Sequence, residues 1–195
     1  MFSKPRPNRR SARSAPYVPK PLDPARLEEL ALAYVARFAT SAAKLETYLR
    51  RKLRERGWEG EGDAPTAALV ERLVSAGYVD DTAYARSKSG SLLRRGYGER
   101  RIGQALGAAG IAAEVRDEVR SGDAAQRRAA LALAIKRRIG PFGDKAGDRP
   151  GREKQIGAML RAGHPLDSAR ELVNAISTEA AEQWAADADE DEPCD

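Results

Sequence analysis

Three short segments of the chain end on glycine at a constant interval. They are LRRKLRERG (49–57), IGQALGAAG (102–110) and QIGAMLRAG (155–163), so Gly57, Gly110 and Gly163 stand 53 residues apart. Apolar residues recur at helical spacing before each glycine. The third match is looser, because Gln155 takes the first apolar place and Ile156 lies one position later. A glycine just beyond an apolar-periodic run is a helix stop, since it enters the left-handed conformation at no steric cost. A repeat of this length constrains the fold strongly. One unit cannot bury its apolar face alone, so successive units must stack. The expectation is an all-α chain of three tandem three-helix repeats, forming an elongated array that can curve.

The pattern between the glycines supports nine helices. Leu27, Leu30, Ala31, Tyr34, Val35 and Phe38 fall on one stripe of a first helix, opened by Asp23 as cap and Pro24 in the first turn. Leu45, Tyr48, Leu49 and Leu53 mark a second, opened by Ser41 and closed by Gly57. Leu69, Val70, Leu73 and Val74 mark a third, closed by Gly77. Asp80 or Asp81 opens a fourth that runs to about Arg95. Ile102, Ala105, Leu106 and Ala109 define the next, closed by Gly110, and Val115 and Val119 a short sixth. A seventh starts near Asp123 with Leu131, Ala132, Ile135 and Ile139 on one face. Ile156, Met159 and Leu160, then Leu166, Ala169, Leu172, Val173 and Ile176, complete the set. The resulting division is a disordered basic arm (1–22), repeats at 23–77, 78–122 and 123–178, and a disordered acidic tail (179–195). A Gly-rich linker, 140–151, lies inside the third repeat.

The fourth helix is anomalous. Its run SKSGS offers little to bury, and Gly90 costs about 1 kcal/mol of helix propensity relative to alanine. Light packing through Ala83, Tyr84, Ser87 and Ser91 is expected, with Arg86, Lys88, Arg94 and Arg95 displayed outward. The break at Gly96–Tyr97–Gly98 then delivers Arg100 and Arg101 near the same edge.

Charge points to a partner. The net charge is +5, but residues 1–20 carry six basic and no acidic groups, while residues 179–195 carry eight acidic and no basic ones. The body between them is therefore basic, which suits a polyanion or an acidic protein groove. Two clusters stand out. Residues 44–56 hold Lys44, Arg50, Arg51, Lys52, Arg54 and Arg56 against Glu46 and Glu55. Residues 86–101 hold Arg86, Lys88, Arg94, Arg95, Arg100 and Arg101 against Glu99. Such runs are often only solvated faces, but two of them one repeat apart favour binding. Arginine pairs bidentately with phosphate and carboxylate alike, so charge alone leaves DNA and protein open as partners. The one cysteine, Cys194, permits no internal disulfide, and no apolar run spans a bilayer. A cytoplasmic monomer is expected.

Catalytic chemistry finds little footing. The single histidine, His164, lies between Gly163 and Pro165 and reads as a turn residue. Zinc would need about four Cys or His ligands, and only His164 and Cys194 exist. No phosphate-binding glycine loop is present. Asp80 and Asp81 could be drawn as a metal pair in a nuclease. Capping of the helix that follows is the simpler role, because an Asp oxygen accepts the unpaired N–H groups of a first turn. No enzyme activity and no cofactor are expected.

Residues 77–111 resemble the RecX family, bacterial regulators of the RecA recombinase. Gly77, Val79, Asp80, Asp81, Tyr84 and Ala85 carry the likeness, followed by Gly96, Gly98, Arg101, Ile102, Leu106, Gly110 and Ile111. SAAKLETYLRRKLRERG resembles the family's first repeat, with Leu49, Leu53 and Gly57 in place, and the third repeat matches more weakly. The likeness covers about residues 25–178. The chain departs from the family near Lys88 and Ser89, where members often carry a larger apolar or aromatic side chain. The resemblance implies a non-enzymatic regulator of recombination, DNA repair and the SOS response. It would bind along the groove of a RecA filament on single-stranded DNA, bridge subunits, and lower ATP hydrolysis, strand exchange and coprotease action. Its expected contacts are Arg50, Arg51, Lys52, Arg54, Arg86, Lys88, Arg94, Arg95, Arg100 and Arg101. A stand-alone basic DNA-binding protein is the alternative.

Overall fold

Helices account for nearly all the regular structure. The structure, a computed structural model, describes residues 20–143 and 148–190. Residues 1–19 of the expected basic arm, part of the 140–151 linker and residues 191–195 of the expected acidic tail lie outside them. Ten α-helices occur among the described residues: α1 (Pro24–Val35), α2 (Ala42–Arg56), α3 (Thr66–Ser75), α4 (Asp81–Arg94), α5 (Glu99–Gly107), α6 (Ala113–Glu118), α7 (Asp123–Arg137), α8 (Arg149–Ala162), α9 (Leu166–Asn174) and α10 (Thr178–Glu190). A single 3-10 turn, Gly140–Phe142, follows α7. The described residues contain no strand, only an isolated parallel bridge between Leu22 and Trp58. None of their helices is long and apolar enough to cross a membrane.

Three small cores lie in series. Leu27, Leu45, Leu49, Leu69 and Leu73 build the first from α1–α3. Ala85, Leu92, Ile102, Leu106 and Ile111 build the second. Leu133, Ile139, Met159, Leu172 and Val173 anchor the third. Tyr97 packs against both the second and the third, so those two repeats share one side chain. Local sequence explains the helix ends. Asp23, Ser41, Asp80 and Asp148 each accept a backbone N–H as N-cap. Gly57, Gly77, Gly96, Gly110 and Gly163 all take positive φ, the conformation that ends a helix without a Cβ clash.

Several expectations change. Residues 179–190 are helical and belong to α10, which lays Ala181, Ala185 and Ala188 against α7. The small side chains allow close approach, and an arginine of α7 fastens the contact. The Arg127 guanidinium lies 5.2 Å from the Trp184 ring and donates to the Trp184 carbonyl at 3.2 Å. The face of α7 shifts for the same reason. Its buried residues are Ala124, Ala129, Ala130, Leu133 and Ala134, whereas Ile135 is 49 % exposed. At the other end, Leu22 is fully buried rather than part of a loose arm. Its N–H donates to Gly57 O and its carbonyl accepts from Glu59 N–H. Finally, two apolar residues leave their expected stripes. Phe38 lies beyond the end of α1 and is 55 % exposed, and Ile176 lies beyond α9 and is almost wholly exposed.

The fourth helix buries a different face from the one expected. Ala85, Ser89 and Leu92 point inward at i, i+4 and i+7, while Ala83 and Ser87 are exposed. Gly90 leaves room for the Arg94 guanidinium, which lies 3.3 Å from where a Cβ would stand. The chain thus trades helix propensity for an arginine laid back along its own helix.

Candidate interface at the repeat junctions

The middle helices of the three repeats meet end to end. The C-terminus of α8 abuts the N-terminus of α5, and the C-terminal turn of α5 abuts the N-terminus of α2. At the first junction Gly98 N–H donates to Ala162 O at 3.0 Å and Arg100 N–H to Gly163 O at 3.3 Å. The Arg100 guanidinium donates to Leu160 O. Free N–H groups of one helix start therefore satisfy free carbonyls of another helix end, and the two helix dipoles align head to tail. At the second junction the Ser41 hydroxyl donates to Ala109 O at 2.5 Å, beside Gly110. A Cβ at Gly110 would fall on the Ala43 methyl, and one at Gly163 would lie 2.5 Å from Arg101 N. The constant glycine interval thus marks a repeated contact between units. Gly57, with no repeat before it, has open space around the missing Cβ.

Several of the residues that carry the family likeness lie at these junctions, and others fill the second core. Asp80 caps its own helix, accepting Ala83 N–H at 2.8 Å. Asp81 reaches across to repeat one and accepts Ala42 N–H at 2.9 Å. The two neighbouring carboxylates therefore cap two helices in two repeats. Among the described residues no group of three or more His, Cys, Asp or Glu is placed to hold a metal. Gly96 packs on Leu133 of α7, where a Cβ would stand 2.9 Å from the backbone nitrogen. Ala85, Ile102 and Leu106 fill the second core. Gly77 turns the chain after α3 at φ +76, and Tyr84 accepts a hydrogen bond at its hydroxyl from Lys44 Nζ, 3.0 Å away.

His164 is the residue that sequence reasoning undervalued. It is buried rather than a plain turn residue, and its Nε2 faces Gly96 O at 3.0 Å across the junction, so Nε2 carries the proton. Burial pushes its imidazole below the ordinary histidine range, against the raising effect of that hydrogen bond. Nearby, Glu99 and Gln126 pair twice: Glu99 N–H donates to Gln126 Oε1 at 3.1 Å, and Gln126 Nε2 to the Glu99 carboxylate at 2.9 Å. Burial pushes the Glu99 carboxyl up, more than Arg120 pulls it down. These groups border a cleft of about 680 Å³ between repeats two and three.

The ten basic candidates do not form one patch. Arg50 pairs with Glu46 at 2.7 Å, Arg51 with Glu55 at 3.6 Å and Lys52 with Glu55 at 2.6 Å. Arg86 turns to Glu118 at 2.6 Å. Exposed pairs of this kind contribute only about 0–1 kcal/mol each, but they neutralise charge locally. Arg100 is spent on the junction. Lys88, Arg94, Arg95 and Arg101 form no ion pair among the described residues, and all but the half-buried Lys88 are exposed. The exposed Arg54 forms none either but stands close enough to Glu55 to help lower its carboxyl. Helical spacing separates them further. Lys88 and Arg95 share a flank of α4 with Tyr84, whereas Arg94 points away from the core. Repeat one contributes an aromatic group that charge counting overlooked: Tyr34, Phe38 and Tyr48. Its trace in sequence was the i, i+4 pair Tyr34–Phe38 followed by cations at helical spacing around Tyr48.

An all-α array of three-helix modules, joined by their middle helices and bordered by unpaired cations, is the class that this fold defines. The family model for the RecX second three-helix domain matches residues 80–119. A regulatory protein RecX from Myxococcus xanthus is 33% identical over 168 residues, covering 82% of this chain and 90% of the relative. Another, from Agrobacterium fabrum, is 32% identical over 149 residues, or 74% of this chain and 79% of the relative. The crystal structure of RecX from Lactobacillus salivarius superposes with a TM-score of 0.61 at 17% identity, over 84% of this chain and 96% of that one. The chain belongs to the RecX family of regulatory proteins.

Proposed function

We propose that this protein is a non-enzymatic regulator that binds a RecA filament on single-stranded DNA in the cytoplasm and lowers its ATPase, strand-exchange and coprotease activities. The observation that carries this reading is the extent of the likeness to a RecX regulatory protein, which covers 82% of this chain and 90% of that relative. The repeat junctions supply a mechanism. Hydrogen bonds between helix ends, backbone to backbone between repeats two and three and through Ser41 and Asp81 between repeats one and two, with glycines seated on the neighbouring unit, tie the units into an array. Such an array can span neighbouring filament subunits and restrict the relative movement that ATP turnover requires. Arg94 and Arg95 are the leading contacts, with Lys88 and Arg101 behind them, because their charge is not cancelled by a neighbouring carboxylate.

The test is RecA-catalysed ATP hydrolysis on single-stranded DNA with substoichiometric protein. Inhibition below saturation of the DNA is expected. The double variant Arg94→Glu, Arg95→Glu should weaken it about 10-fold or more, the size of a lost charge contact and its reversal, with helical content unchanged. Inhibition that appears only once this protein coats the DNA would instead make it a stand-alone DNA-binding protein.

A further inference from the structure

Repeat one carries an aromatic group that the filament reading does not use. Tyr34 and Tyr48 stack with ring centroids 4.2 Å apart and planes 20° from parallel. Phe38 extends the group, 5.3 Å from Tyr34, with more than half of its surface in solvent. The Arg51 guanidinium lies 5.6 Å from the Tyr48 ring and Lys52 Nζ 5.9 Å from it. A pocket of about 330 Å³ opens here between repeats one and two, and its only charged lining residues are Lys44 and Arg51. Lys44 also touches Tyr84, 5.3 Å from its ring. From Tyr84 the flank of α4 continues to Lys88 and Arg95, a run of about 16 Å at 1.5 Å per residue.

Tyr34 and Tyr48 rest on the first core with one side, and Phe38 carries the group out to solvent. An exposed Phe38 beside two half-buried tyrosines, next to a pocket lined by Lys44 and Arg51 and by no carboxylate, suits a ligand that has both flat rings and negative charge. The Arg51–Glu55 pair at 3.6 Å is exposed and so weak enough to exchange for it. We infer that this pocket binds single-stranded nucleic acid, stacking a base on the Phe38–Tyr34–Tyr48 group while Lys44, Arg51, Lys88 and Arg95 track the backbone. An acidic peptide would use the cations but not the aromatic faces. A duplex hides its base faces and cannot use the pocket. This is the combination by which proteins hold single strands without sequence preference. The inference deepens the filament reading by naming nucleic acid as what this face takes, and its test omits the recombinase so that the two can fail separately.

The test is fluorescence anisotropy of a labelled oligothymidylate, an abasic strand of the same length and a duplex, titrated with full-length protein over a range of salt. The wild type should prefer oligothymidylate to both other probes. Phe38→Ala should weaken oligothymidylate binding by about 5- to 100-fold, the usual effect of losing one stacked base, with no effect on the abasic strand. Lys44→Gln with Arg51→Gln should instead flatten the salt dependence by about 1.4 in log–log slope, since each neutralised phosphate contributes about 0.7 on a single strand. Phe38 is largely exposed, so matching circular dichroism and urea midpoints are expected for all variants. Equal binding of the wild type to oligothymidylate and the abasic strand, or an unchanged preference in Phe38→Ala, overturns the inference. So does an absence of nucleic-acid binding by the wild type, whatever the protein does to a recombinase.

Discussion

Gly98→Ala places one methyl group in the junction between repeats two and three. Gly98 has φ −85°, so alanine adopts the same backbone without strain. The added Cβ would nevertheless lie 2.5 Å from the Gly163 carbonyl carbon and oxygen and 2.6 Å from His164 N. All three are backbone atoms, so no rotamer change relieves the clash and α8 must part from α5. Overpacking of this kind costs about 1–3 kcal/mol. Parting also weakens the bonds from Gly98 N–H to Ala162 O and from Arg100 N–H to Gly163 O, at about 0.5–1.5 kcal/mol each. The expected loss is about 2–6 kcal/mol, a large share of the roughly 5–15 kcal/mol that holds an ordinary domain. Urea unfolding should show a lower midpoint and a shallower slope, as repeat three uncouples from the rest. The Gly98 and Arg100 amides should exchange hydrogen faster. Gly103→Ala is the control on the same helix. A Cβ there meets nothing within 4 Å, so alanine should stabilise by about 0.5–1 kcal/mol through helix propensity alone. If Gly98→Ala unfolds within about 0.5 kcal/mol of wild type, or if both variants destabilise alike, the end-to-end junction is not what couples the repeats.

Two further outcomes follow from buried groups. His164 is neutral when folded and its pKa is lowered by burial, while the unfolded chain protonates it near pH 6.5. Below that pH the unfolded state binds the extra proton, so stability should fall as pH drops from about 6.5 toward the folded pKa and level off beneath it. Glu99, raised by burial in the same cleft, acts with the opposite sign above its unfolded value and contributes in a more acidic window. His164→Gln should reduce the slope near pH 6 in urea titrations; an unchanged slope would place the proton uptake elsewhere. Ala185→Leu addresses the C-terminal helix. Ala185 is 2 % exposed against α7, so leucine should cost about 1–3 kcal/mol in thermal or urea unfolding, whereas an undocked tail would tolerate it without change.

Helix number, order and stops were largely legible because they depend on local chemistry. Apolar spacing located α1 to α9, and Asp23, Ser41, Asp80 and the terminating glycines marked their ends. The sequence also displayed the 53-residue interval, from which stacking of units follows. α10 escaped detection because its buried face is alanine. Hydrophobic periodicity weighs alanine lightly, and eight acidic groups in the final segment suggested disorder. Alanine buries well only when the partner helix is equally small, and that property belongs to α7 and α10 together. The same holds for the true inner face of α7, since Ile135 looks more apolar than Ala134 until α10 is in place.

The functional reading divides along a similar line. Sequence alone supplied the family likeness, the basic body and the two cationic clusters. It could not tell which cations remain available. Arg50, Arg51 and Lys52 have carboxylates within a helical turn or on the same helix face, so their pairing was partly visible. Arg86 meets Glu118 and Arg100 meets Leu160 O only after folding brings distant segments together. The glycines show the limit most plainly. A stop signal reads the same at Gly57, Gly110 and Gly163, because positive φ is a property of one residue. Whether a glycine also seats a neighbouring repeat depends on what stands 2–3 Å from its missing Cβ. That was decided by the tertiary structure, which puts a backbone or a methyl group there at Gly110 and Gly163 and leaves Gly57 facing open space.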